Sequence, residues 1–295
     1  MISICIPTYN YSVIKLVSEL DRQCRRNNID YEILVLEDCS TKVCFLKNIE
    51  DLKNFENVKH LSFEENQGRS KARNYLAKVA RFDNLLFLDC DSEINDENFI
   101  NCYLKNIENP VVCGGTAYLK SQYEKNKELR YKYGIKCEML SANVRNKKKI
   151  FTTNNFLIHK NIFEKIQFKE FLKKYGHEDS LFGYELRKNN IKIKHIDNPV
   201  IHAGVEENSV FIDKTRLAID NLIIIQNQKS IDIDFINEIT LAKTYKKLKN
   251  IRLNYLLKIS FKISKNIVLR YLLYSKNPNI FVFNFYKLGY YSIRQ

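Results

Sequence analysis

Leu85-Leu86-Phe87-Leu88-Asp89-Cys90-Asp91-Ser92 is a short, wholly apolar run that stops at two carboxylates one residue apart. Its length, with polar residues on either side at 81–84 and at Ser92-Glu93, predicts a buried strand in a sheet covered on both faces. In such sheets ligands bind beyond the carboxyl ends of the strands. Side chains alternate along a strand, so Asp89 and Asp91 are expected to lean to one side and Cys90 to the other. Two converging carboxylates suit a hard divalent cation, Mg2+ or Mn2+, of the kind that bridges substrate phosphates. Taken alone, the triplet is better read as a strand followed by an Asp-rich turn. Its neighbours in sequence decide between the two.

Working outward, the chain has 295 residues, enough for one large α/β domain or a domain with an appendage. Hydrophobic residues make up 45% and charged residues 28%, and 8 Gly with 4 Pro are too few for a linker-rich or disordered protein. Met1-Ile2-Ser3-Ile4-Cys5-Ile6 runs into Pro7 without a basic leader, so a strand rather than a signal peptide is expected at the start. All eight cysteines fall in the first half and none forms a C-x-x-C pair. That argues against a zinc site or disulfide framework and for a reducing cytoplasm. The net charge is +14, yet twelve of the 48 basic residues and none of the 34 acidic ones lie in 241–295. The body is nearly neutral, and the basicity belongs to the C-terminal segment.

Ser3-Ile4-Cys5-Ile6 reads as a first strand, and Val13, Leu16, Val17 and Leu20 recur at helical spacing after it. A second strand, Glu32-Ile33-Leu34-Val35-Leu36, leads to a helix over 43–55 and a third strand at 58–61. A helix through residue 79 precedes the decisive run. Asp96 is expected to cap a further helix. Residues 111–119 return as a strand whose Gly114-Gly115 leaves room for backbone or ligand. Over 121–149 the pattern weakens and charge rises, which fits either a mobile lid or a solvated helix. Strand character resumes at 155–158, a helix at 180–188, an edge strand at 191–196 and a short apolar step at 199–202. Alternation of this kind predicts an α/β fold with a mostly parallel central sheet flanked by helices. A helical stretch over 210–226 is expected to pack on the body, and a basic, mainly helical segment to end the chain.

Five short stretches stand in a telling order. Ile6-Pro7-Thr8-Tyr9-Asn10, Leu36-Glu37-Asp38-Cys39-Ser40, Asn66-Gln67-Gly68-Arg69-Ser70-Lys71-Ala72-Arg73-Asn74, Asp89-Cys90-Asp91 and His177-Glu178-Asp179 resemble, in order and spacing, the family 2 glycosyltransferases of GT-A fold. The resemblance covers about residues 2–205. It implies a catalytic domain over 1–205, with nucleotide-sugar binding in roughly 1–115 and the acceptor side in roughly 116–205. A helical segment at 206–240 and the basic extension 241–295 would follow it. It implies inverting transfer of a sugar from a nucleotide diphosphate sugar, a UDP-sugar by preference, to an acceptor hydroxyl, with a divalent cation.

By the same resemblance Pro7, Thr8, Tyr9, Glu37, Asp38, Asn66, Gly68, Arg73, Asp89, Cys90 and Asp91 would bind the donor. Asp91 would hold the metal, with His202 where some relatives place a further ligand. Asp179 matches the position of the general base, Glu178 stands beside it, and Asn155, His177 and Glu178 fall on the acceptor side. Two departures stand out: Cys39 replaces a usual glycine, and Thr152-Thr153-Asn154 replaces a usual glycine-bearing segment. The chemistry asks for such a set in its own right, since a leaving diphosphate gathers negative charge while the acceptor hydroxyl must lose a proton.

Plainer readings exist for each residue. Glu178 and Asp179 suit any helix N-terminus, a histidine on an apolar strand is commonly a satisfied, partly buried one, and Arg73 could serve a salt bridge. Nucleotidyl transfer to a sugar phosphate would also use nucleotide and Mg2+, but would want a glycine-rich phosphate loop after the first strand, where Pro7-Thr8-Tyr9-Asn10 has none. A nucleic-acid binder using the tail is disfavoured because the charge sits apart from the acidic cleft. In the tail, Lys258, Lys262 and Lys265 share one helical side while Leu256, Ile259, Ile263 and Ile267 line another. That pattern predicts an interfacial helix at the inner face of a membrane; packing on the body or on a second subunit is the alternative. No apolar run is long enough to span a bilayer.

Overall fold

The computed structural model describes residues 1–172 and 175–295. They divide into two compact units: Met1–Tyr118, 138–172 and Glu178–Gly204 form the first, and Leu119–Cys137, 175–177 and Val205–Gln295 the second.

The first unit begins β1 (Ile2–Thr8), α1 (Ile14–Arg26), β2 (Tyr31–Glu37), α2 (Lys42–Leu52), β3 (Val58–Ser62), α3 (Arg69–Val79) and β4 (Asn84–Leu88). Strands β3, β2, β1 and β4 lie side by side and parallel. Alternation fills both faces. Ile2, Ile4, Ile6, Ile33, Val35, Leu86 and Leu88 pack against α1. On the other face Cys5, Leu34, Leu36, Leu85 and Phe87 meet Ala72 and Leu76 of α3. Because β2 and β4 are apolar on both sides, each must be covered twice, and the chain answers with crossovers that place helices on both faces.

Beyond β4 come β5 (Ser92–Glu93), α4 (Phe99–Leu104), β6 (Val111–Cys113) and β7 (Thr116–Ala117). After α5 (Glu128–Tyr133), which belongs to the second unit, follow α6 (Ala142–Lys147), β8 (Asn155–His159), α7 (Lys160–Ile166), α8 (Glu178–Lys188), β9 (Ile193–His195) and β10 (Val200–His202). Strand β8 runs antiparallel between β4 and β6, and β9 closes the edge, giving the order β3-β2-β1-β4-β8-β6-β9. A three-stranded sheet, β5-β10-β7, stands beside it.

Three expectations need correction. The strand predicted over 111–119 is two strands in different sheets, broken at Gly114-Gly115, because a Cβ on Gly114 would fall 2.4 Å from the Asn155 amide and one on Gly115 2.8 Å from the Arg145 guanidinium. The glycines serve a close approach within the protein. The 121–149 stretch is neither a solvated helix nor an open loop but short helical turns that bury Glu128, Leu129, Arg130 and Arg145. Asp96 does not begin a helix: its carboxylate accepts from Asn98 N one turn earlier, and α4 starts at Phe99.

The second unit is helical: α5 with α9 (Asn208–Gln226), α10 (Ile233–Glu238), α11 (Thr240–Asn250), α12 (Asn254–Tyr274) and α13 (Ile280–Arg294). Leu129, Phe211, Ile212, Phe261, Leu272, Phe283 and Tyr286 form its core. Helix α13 is fastened to α9 by Arg216 donating to the Tyr286 hydroxyl at 2.7 Å and by Arg294 pairing with Asp220 at 2.9 Å.

Candidate active site

The ends of β1 and β2 are tied together: Asp38 N donates to Thr8 O at 2.8 Å. The loops that follow exchange two further bonds, from Asn10 N to the Ser40 hydroxyl and from Thr41 N to the Asn10 side-chain oxygen. Asp38 is buried, and its two oxygens take the backbone N–H groups of Gln67 and Gly68 at 2.7 and 2.9 Å. It thus secures the entry to α3, where Gly68 holds φ +84. Asn66 donates to Asp38 O at 3.0 Å, closing the same corner. A carboxylate offers about four acceptor positions, so Asp38 keeps capacity for a ligand donor. Cys39 takes φ +60, the left-handed backbone that the usual glycine would adopt without strain.

Glu37 is fully buried and bound by Ser40, by Asn48 at 2.6 Å and by His60 at 3.4 Å. Burial pushes its carboxyl up, but the bonds from His60, Ser40 and Asn48 outweigh that and hold it below the usual range. Glu37 is thereby a fixed brace beneath Asp38. Thr8 is buried, Pro7 is half-buried and Tyr9 is exposed at the mouth of the same corner.

Past β4 the chain turns sharply, with Ser92 N donating to Asp89 O at 3.1 Å. Asp89 continues the Phe87 side of the strand and meets Arg73 of α3, whose Nη2 lies 2.8 Å from Asp89 Oδ1. Cys90 packs against the α1 side of the core, as alternation requires, and burial raises its thiol to about 12. Asp91 faces β10: its Oδ2 is 3.2 Å from His202 Nε2, and its carbonyl accepts from Ala203 N. The antiparallel pairing of His202 with Ser92 explains why two residues so distant in sequence meet. Gly204 completes this corner, since a Cβ there would sit 2.5 Å from Asp91 Oδ2.

Among the described residues no group of three or more His, Cys, Asp or Glu could hold a metal by protein ligands alone. One carboxylate and one imidazole nevertheless fit a divalent cation that takes its remaining ligands from water and a diphosphate.

Glu178 and Asp179 open α8. Burial raises the Asp179 carboxyl to about 6 and Glu178 adds to the rise, while Ser180 and Arg73 oppose it. Arg73 therefore acts electrostatically on Asp179 while bonded to Asp89. It is itself buried, stands 5.5 Å from the Phe168 ring, and its Nε and Nη1 have no hydrogen-bond partner among the described residues. His177 belongs to the second unit and holds φ +69. Asn155 is fully buried; its amide accepts from Tyr103 OH and donates to Gly115 O and Asn198 O at 3.0 and 2.9 Å. Its oxygen and its amide nitrogen are thus bonded within the protein framework.

Residues unmarked in the sequence also shape the site. Arg145 is buried and donates to the carbonyls of Leu140, Cys113, Gly114 and Ile196 and to His195 Nδ1. His195 is pushed down to about 4 by burial and by Arg145, so it accepts as the neutral ring. Nothing in the charged stretch around Arg145 distinguishes it from its solvated neighbours; Gly204, two residues after His202, was the more legible signal.

This order of strands and helices is that of a known class. The sequence profile described as "Glycosyl transferase family 2" matches residues 3–167, and the chain belongs to that family. It is a glycosyltransferase of GT-A fold, which sets aside nucleotidyl transfer and nucleic-acid binding as its primary class. A poly(ribitol-phosphate) beta-N-acetylglucosaminyltransferase, TarS of Staphylococcus aureus, is 34% identical over 99 residues, a match spanning 32% of this chain and 17% of that protein. The crystal structure of S. aureus TarS 1-349 in complex with UDP aligns over 100% of this chain and 91% of that one, with TM-score 0.53 and 19% identity. The mannosyltransferase PcManGT from Pyrobaculum calidifontis, in complex with GDP-Man and Mn2+, aligns over 99% and 86%, with TM-score 0.61 and 13% identity.

Proposed function

We propose that this glycosyltransferase inverts the anomeric centre of a nucleotide diphosphate sugar, a UDP-sugar by preference, as it transfers the sugar to a hydroxyl of a surface polysaccharide or glycolipid. The observation that carries the reading is the linkage of Asp38, Asp89, Asp91 and Asp179 through α3 and the turn after β4. Asp38 secures the N-terminus of α3, and Arg73 on that helix binds Asp89 and acts on Asp179. The UDP complex of TarS supports the choice of nucleotide.

In this reading residues 1–115 hold the donor, with Asp38 toward the nucleoside, and residues 116–205 serve the acceptor. Asp91 and His202 would hold Mn2+ or Mg2+, which when bound offsets the charge of a leaving diphosphate. Asp179 takes the proton from the acceptor hydroxyl as its oxygen bonds to the anomeric carbon. The anomeric C–O bond opposite breaks, and its electron pair leaves with the diphosphate. A carboxyl raised toward neutral pH is a better proton acceptor than an ordinary aspartate. The protein would work in the cytoplasm, peripheral to the inner face of the cell membrane.

Thermal shift with UDP and Mn2+ tests the donor half, because a ligand bound only by the folded state raises apparent stability. UDP should protect the wild type, and Asp91→Ala should lose the Mn2+-dependent part; equal protection would remove Asp91 from the cation site. Asp179→Asn should keep donor protection and lose transfer, and undiminished turnover would disqualify it as the base.

A further inference from the structure

Helix α12 is apolar on two opposite sides. Leu257, Phe261 and Leu272 are buried, and Phe261 meets Tyr286 of α13 edge-on at 5.6 Å. Across the helix, Leu256, Ile259, Ile263 and Ile267 stand 60%, 58%, 77% and 74% exposed. Their spacing of three and four residues aligns them in one stripe about 16 Å long. Scattered exposed aliphatics need no explanation, but an aligned set on one helix marks a contact surface. The tail therefore packs within the second unit through one face of α12 and leaves the other uncovered.

Charge decides what covers it. Arg270 is exposed and falls within the arc of the stripe, Lys262 stands a little over a quarter-turn from its centre, and 241–295 contains no acidic residue. A second copy docked through the same face would bring this basic, acid-free segment against its own like charge, since a two-fold contact uses the same patch on both copies. An anionic lipid surface answers the charge and the apolar stripe together. Tyr255, Tyr274 and Phe281 are exposed at the ends of the helix and beside it, and aromatic rings of this kind favour the headgroup level. Among the described residues no helix is long and apolar enough to cross a membrane.

We propose that the outward stripe of α12 is the docking face of the chain on an anionic membrane. Its four aliphatic side chains enter the acyl boundary, and Arg270 within it and Lys262 at its flank meet the lipid phosphates. The inference rests on the peripheral location in the proposed function and is independent of the sugar-transfer chemistry.

The test uses the full chain and co-sedimentation with vesicles of phosphatidylcholine containing phosphatidylglycerol, against phosphatidylcholine alone. Wild type should partition onto the anionic vesicles and be released by salt. The triple variant Ile259→Ser, Ile263→Ser, Ile267→Ser should lose at least ~10-fold in partitioning. All three side chains point to solvent, so its circular dichroism and its UDP–Mn2+ protection should match wild type. Arg270→Gln with Lys262→Gln should erase the preference for anionic vesicles. Equal partitioning of wild type and triple variant would overturn the assignment of this face while leaving peripheral attachment intact. Absence of wild-type binding, or a fall from dimer to monomer in the triple variant, would overturn membrane docking altogether. UDP–Mn2+ protection measured in the same samples reports on the transferase reading separately.

Discussion

Burial lifts the Asp179 carboxyl from 3.8 to about 6, and Glu178 beside it pushes the same way. Ionising Asp179 is therefore harder in the folded chain than in the unfolded one. Its contribution to stability is fully present below about pH 4 and is lost as pH rises through about 6. Two outcomes follow from this one shift. If Asp179 is the base, kcat/KM should climb through about pH 6 and level off above it. Asp179→Asn should unfold later than wild type above pH 6 and lose that advantage by pH 4, as read by denaturant midpoints. A variant gap independent of pH would mean that the carboxyl is unperturbed. Arg73 bears on both outcomes, because its guanidinium, bonded to Asp89, acts electrostatically on Asp179 and limits how far that carboxyl can rise.

Helix α8 carries Asp179 at its N-terminus, and Phe182 one turn on anchors it. That ring stacks on Phe168 at 4.1 Å and lies within 6.3 Å of Phe151, Phe156 and Phe163, centroid to centroid. Phe182→Ala should cost about 3–5 kcal/mol and should lower kcat more than it weakens UDP–Mn2+ protection, because it loosens the base and leaves Asp38 and Asp91 in place. An equal loss of both would show that the aromatic cluster supports the whole site. Elements such as β2 and β4 were legible in the sequence because a strand covered twice must be apolar throughout, and the two aspartates mark where β4 ends. The break at Gly114-Gly115 was not, since what forbids a Cβ there is Arg145 and Asn155, brought in from elsewhere in the chain. For the same reason Asn155 could not be known as a framework residue: its three partners, Tyr103, Gly115 and Asn198, are gathered only by folding. In α12 the aliphatic stripe was visible as a pattern, but only the position of Phe261 against Tyr286 decides which apolar side faces inward.

At the scale of the molecule, the carboxylates assigned to donor and base lie in the first unit and the excess positive charge in the second. Each unit has its own hydrophobic core, so each has its own source of stability. Phe283 is almost fully buried in the second, beside Phe211 at 5.3 Å and Tyr133 at 5.6 Å. Phe283→Ala should cost that core about 3–5 kcal/mol, and hydrogen exchange should read the loss segment by segment. Amides of α9, α12 and α13 are expected to exchange faster, while those of β1, β2 and β4 hold, and UDP–Mn2+ should still slow exchange around Asp38 and Gly68. Uniform acceleration through both units would mean that they unfold as one cooperative body. Retained nucleotide protection beside a loosened α12 would instead show that donor binding depends on the sheet and its loops alone, leaving the helical unit free to be shaped by what it docks against.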